Sequence, residues 1–167
     1  KLPTMALSEI DKTLNAYFND INSNILIVYE EPEFMTFTTI HVTESGESTN
    51  CSTDDKADGL AALDYFNLNK QDVAFVFTNG GENPVMIANL IAHIAGHTFG
   101  LEDSTEKTDI MSPNISTIMT GFLKSKTTSD NKTQDSPAML RANVGRVNYT
   151  PLLVNSTLSE IKTLPSE

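Results

Sequence analysis

The sequence predicts an α+β fold, α/β-sandwich-like, in a single domain spanning residues 1–167. Three observations predict it. Two segments with helical apolar spacing, 4–19 and 85–99, are separated by short runs rich in β-branched residues. At 39% hydrophobic, the 167 residues can build a sizeable core. Turn residues such as Asn22-Ser23-Asn24, Glu31-Pro32-Glu33 and Asn79-Gly80-Gly81 punctuate the runs.

In chain order, Ile10, Leu14, Phe18 and Ile21 give residues 4–19 one apolar face. Residues 25–29 are continuously apolar and read as a buried strand. Residues 34–42 alternate and read as a second strand, and 43–58 as a polar loop. Residues 60–66 fit a short strand or a helical turn, and Val73 to Phe77 is the clearest strand. The second helix has defined ends. Asn83 is a natural N-cap, Pro84 fits the first turn, and Gly100 suits the left-handed end. Residues 124–136 are polar and read as a mobile loop. A helix over 138–144 follows, ending at Gly145. The last 17 residues carry no assignment, and no internal repeat is evident.

The net charge is −11 and uneven: residues 1–111 hold 5 basic and 18 acidic groups, residues 112–167 hold 6 and 4. An acidic body argues against nucleic acid and anionic membranes, because phosphate contacts need clustered Lys and Arg. No run approaches the ~18 apolar residues of a membrane span, and no leader segment is visible. Cys51 stands alone, so no internal disulfide is expected.

Chemistry concentrates in one stretch. His93 and His97 lie four apart and so on one helix face, Gly100 allows a sharp turn, and Asp103 follows three residues later. Two imidazoles and a carboxylate are a zinc-type donor set with a fourth position left open. Asp109-Ile110-Met111-Ser112-Pro113 comes next, with Met111 eight residues beyond Asp103.

This stretch resembles the metzincin zinc metallopeptidases, and among them the matrixin-like branch. The resemblance is strong over 93–113 and extends loosely over 25–145. It implies a twisted mixed sheet packed on an active-site helix and a C-terminal helix. It implies an upper part, 1–111, carrying the active-site helix and Met-turn, and a small lower part with a tail, 112–167. It implies zinc held by His93, His97 and Asp103, with Met111 as the Met-turn residue beneath it. Ser112 and Pro113 would begin the wall of the S1′ pocket. A secreted or extracellular setting and a peptide or protein ligand along the cleft also follow from it.

Three departures matter. Ile94 stands where the family has its catalytic glutamate. Asp103 replaces the more usual third histidine. The strand that leads into the first helix is not evident, which leaves a late start or a differently built sheet.

Ile94 has no titratable group. Losing a positioned general acid–base costs roughly 10²–10⁴ in rate. The expectation is therefore a zinc-binding, pseudo-peptidase-like homologue whose peptide hydrolysis is lost or strongly impaired. Two alternatives remain: an active zinc endopeptidase using another base, and a metal-free structural or interaction domain. Asp54, Asp55 and Asp58 make calcium conceivable, although a solvated acidic loop is the simpler reading. Asp64, Asn67, Asn69 and Asp72 read as a turn before the strand at Val73.

Overall fold

A computed structural model describes residues 4–33, 35–43, 58–78, 83–144 and 150–156. The first helix, α1, spans Thr4–Asp20. It ends where Asn22 adopts φ +51°, with Ser23 N–H returning to the Phe18 carbonyl at 3.0 Å. Asn tolerates this left-handed conformation better than most residues. Strand β1 is Ile25–Val28, β2 is Thr38–Thr43 and β3 is Gly59–Leu60. Strand β4 is Val73–Phe77.

Helix α2 is Pro84–Thr98, and the Asn83 side chain accepts the Met86 N–H at its start. Strands β5 (Lys124–Lys126) and β6 (Thr133–Asp135) precede α3 (Ser136–Val144). Strand β7, Thr150–Ser156, comes last.

The main sheet has the order β1-β7-β2-β4-β3. The first four strands are parallel, and β3 runs antiparallel on the edge of β4. Alternate strand residues face the helices. Ile40 and Val42, Ala74 and Val76, Leu152 and Val154 form one core with Ile10, Leu14 and Phe18 of α1 and Ile87, Leu90 and Ile91 of α2. Tyr17 Oη donates to Asn89 Oδ1 at 2.8 Å, tying α1 to the middle of α2.

The mixed α/β content was expected; several local readings were not met. The second strand starts at Thr38, since 35–37 are irregular and Phe34 lies outside the described residues. Residues 60–66 yield only the end of β3, followed by a turn.

Of residues 124–136, read as a mobile loop, 124–135 form an antiparallel hairpin and Ser136 opens the next helix. Thr127 N–H reaches the Lys132 carbonyl at 2.9 Å, and Thr127 Oγ1 donates to Asp130 at 2.7 Å. Its side chains anchor it inward, Ser125 to Asp109 and Gln134 to Glu102. Polar composition alone does not separate such a hairpin from a coil. α3 begins at Ser136, two residues earlier than expected, because Asp135 Oδ1 accepts the Ala138 N–H and caps it.

The largest difference is at the end of the chain. The unassigned tail supplies β7, which is inserted between β1 and β2 and pairs with both. The sheet is mixed, as expected, but a C-terminal strand inside it was not expected. Residues 44–57, which include Cys51, Asp54 and Asp55, lie outside the described residues, as do 79–82 and Gly145.

Candidate metal centre

α2 positions the site. The helix is apolar nearly all round and buries Ile87, Ala88, Leu90, Ile91, Ala92, Ile94 and Ala95. His93 and His97 emerge one turn apart on its cleft side. The chain then reverses at Gly100, whose φ is +93°. A Cβ there would sit 2.6 Å from the Tyr65 carbonyl oxygen, so glycine is required twice over, by backbone and by space.

Past this turn Asp103 comes back toward the histidines. Its Oδ1 lies 3.7 Å from His93 Nε2 and 3.5 Å from His97 Nε2, and the two Nε2 atoms are 3.1 Å apart. The three ligand-type atoms all lie within 4.8 Å of one another.

Each imidazole is oriented from behind. His93 Nδ1 donates to the Ile110 carbonyl and His97 Nδ1 to the Leu101 carbonyl, both at 2.8 Å. A carbonyl can only accept, so each ring donates from Nδ1, and the neutral form of each presents a lone pair at Nε2. Two lone pairs and a carboxylate oxygen without a hydrogen-bond partner therefore face one point. With both rings neutral these are three acceptors that repel one another, and a cation between them relieves that repulsion. A tetrahedron of zinc ligands with bonds of about 2.0–2.1 Å has edges of about 3.3 Å, close to the three separations found. The residues fit the metal.

Burial, and then the neighbouring His97, lowers the His93 pKa to about 4. His93 is therefore a neutral ligand at neutral pH. When His97 carries a second proton it donates to Asp103 and, with His93, holds that carboxyl below the usual carboxylate range.

The floor of the site is Met111, which is fully buried. A Cβ on Gly96 would lie 2.3 Å from Met111 Sδ, so the helix is smooth where the methionine touches it. Asp109 holds the turn carrying Met111. Its Oδ1 accepts the Met111 N–H at 3.0 Å and the Leu123 N–H at 3.3 Å, and its Oδ2 accepts from Ser125 Oγ at 2.9 Å. Gln134 pins Glu102 through both its N–H and its carbonyl, each at 2.9 Å, and so fixes the approach of Asp103.

A cleft of about 380 Å³ opens over the triad, lined by Asp58, Gly59 and Leu60 of the edge segment, Ile94 of α2, and Pro113 and Ile115 opposite. Pro113 thus stands at the cleft wall. Ser112 is buried, its Oγ accepting the Asn114 N–H, and it is not among the lining residues. Ile94 lines the cleft but is only 5% exposed. It packs onto Gly59 so closely that a Cβ there would fall 2.6 Å from Ile94 Cδ1.

His93, His97, Asp103 and Met111 come together as a unit. Asp109, Gly96, Asn89 and Gln134 support that unit and were not singled out from sequence. Asn89 did carry a signal: it is a polar residue inside the apolar first half of the helix, one turn before His93, and it is fully buried. The others act over distances that no local pattern encodes. Among the described residues this is the one group of three or more His, Cys, Asp or Glu side chains disposed to hold a metal ion.

No family model, no curated protein and no solved structure matches the chain.

Proposed function

We propose that this protein is a metzincin-like zinc-binding module in which peptide hydrolysis is lost or strongly impaired. The observation that carries the reading is the convergence of two tautomer-locked imidazoles and an unpartnered carboxylate oxygen on one point. Zinc bound there would lower the pKa of a coordinated water to about 7 and polarise a carbonyl. Ile94 supplies no proton acceptor at the position where the resemblance puts one. Its side chain is spent packing on Gly59. The cleft, walled by edge strand β3 and by Pro113 and Ile115, suits an extended peptide or protein segment as ligand.

Metal analysis of the purified protein tests the first half. One equivalent of zinc is expected, and it should be lost in His97→Ala; no metal at any zinc concentration would refute the site. Ile94→Glu tests the second half. Chelator-sensitive peptide cleavage should appear in this variant and be negligible in the parent. A second reading, an active endopeptidase, is favoured by one feature: Asp58 lines the same cleft as the triad. Cleavage by the parent that disappears in Asp58→Asn would establish it.

A further inference from the structure

The cleft does not end at the triad. A second cavity of about 360 Å³ adjoins it, and Ala61, His97 and Asp103 line both. Leu63 and Tyr65 wall this second part from the segment after β3, and Thr128 and Ser129 wall it from the turn between β5 and β6. Glu102 stands between these walls. Its Oε1 accepts from Tyr65 Oη at 3.0 Å, and its Oε2 accepts from Ser129 Oγ.

The second cavity combines an apolar wall with a fixed charge. Leu63 is 39% exposed and Tyr65 49%, so an aliphatic chain laid across them covers apolar surface. The Glu102 main chain is pinned by Gln134, and its carboxylate is oriented by a hydroxyl on each oxygen. Among the described residues these hydroxyls use two of its roughly four acceptor sites. The others can take N–H donors from a cation. An aliphatic stem that favours apolar surface and a cationic head that needs acceptors are the two ends of a lysine or arginine side chain.

The charges agree. Lys132, on the same hairpin, is already engaged by Asp130. Residues 1–111, which supply Tyr65 and Glu102, hold 18 acidic groups against 5 basic ones. An acidic ligand side chain here would meet Glu102 and Asp103 as like charges.

We infer that the cavity at Glu102 is a specificity pocket of the cleft, and that Glu102 there selects a peptide carrying lysine or arginine on that side of the triad. The inference rests on the peptide-binding reading above and adds to it which side chain is read and by which residue.

Random heptapeptides displayed on phage, selected on the zinc-loaded and on the metal-stripped protein, provide the test. One position enriched in Lys and Arg is expected with both. A synthetic peptide of the selected sequence should bind Glu102→Gln at least about 10-fold more weakly than the parent, the loss of one charge-assisted pair. Norleucine in place of its basic residue should cost the parent as much and the variant little. Ser129→Arg, at an exposed turn position, leaves Glu102 in place; its guanidinium should occupy the pocket and abolish the preference. Selected peptides without Lys or Arg enrichment, or a basic preference that survives both variants, would overturn the inference and leave the peptide-binding reading standing. Failure to select any peptide would remove both. Zinc analysis of the same samples judges the metal centre separately: basic peptides selected through Glu102 by a protein that takes no zinc would uphold the pocket and refute the centre.

Discussion

The metal cradle and the slot that β7 occupies between β1 and β2 are built by opposite means. Within the cradle, His93, His97, Asp103, Ile110 and Met111 fall inside nineteen consecutive residues, and one helix with one glycine turn arranges most of them. The slot joins residues 25–28 and 38–42 to residues 150–156 across more than a hundred intervening positions. Local geometry makes a chemical site that sequence spacing announces. Long-range pairing makes a sheet that sequence spacing does not announce. The two also differ in what rests on them: the cradle sits at a cleft surface, while β7 is the second strand of the sheet and buried along Pro151 to Val154.

The slot should therefore be the more fragile of the two. Leu152→Asp would place an unpaired carboxylate between β1 and β2, and a loss above about 4 kcal/mol is expected. That should unfold the protein in thermal denaturation, whereas His97→Ala should remove zinc and leave the metal-free melting temperature nearly unchanged. Similar destabilisation by both changes would erase the distinction.

A pH series on metal-stripped protein probes the cradle next. The folded pKa of His93 is about 4, below the unfolded value near 6.5. Between these values the unfolded chain binds the proton more readily, so stability rises with pH. The contribution is fully present above about pH 6.5 and lost on acidification toward pH 4. It is of order 3 kcal/mol. Denaturant midpoints from pH 4 to 7 measure it, and His93→Gln should flatten the profile.

Gly96→Ala should cost about 1–3 kcal/mol by forcing Met111 aside. It should also weaken zinc binding, read by competition with a chromogenic chelator, because the displaced floor carries the Ile110 carbonyl that orients His93. A stable variant with unchanged affinity would show that the floor and the ligands are independent. The smallest effect is expected at Asn83→Ala. Losing the cap on Met86 N–H should lower stability by about 1 kcal/mol, with zinc affinity intact.

Much of the cradle was legible for physical reasons. Asn83, Pro84 and Gly100 are residues whose backbone preferences fix helix ends, and histidines four apart must share a face. The supports were less legible. Asp109 and Gln134 act through hydrogen bonds to Met111, Leu123 and Glu102, and an Asp or Gln in a polar stretch looks the same whether or not it is buried. β7 was missed because four apolar residues beginning with a proline carry no period. Their role comes from pairing with β1 and β2, more than a hundred residues away in sequence. The hairpin of β5 and β6 was hidden for the converse reason. Its strands are polar, and their order comes from inward bonds by Ser125 and Gln134 instead of from apolar alternation.

The contact between Ile94 and Gly59 makes the two positions a single mechanical joint between the cleft helix and the outermost strand of the sheet. Gly59 pairs opposite Val76, and Ile94 fills the space its missing side chain leaves. A residue larger than glycine at 59 would lever the edge strand outward, and a slimmer one at 94 would let it sag inward. Cleft width is therefore set by this pair. Changing these two residues would alter the width of the cleft without touching His93, His97 or Asp103 beneath it.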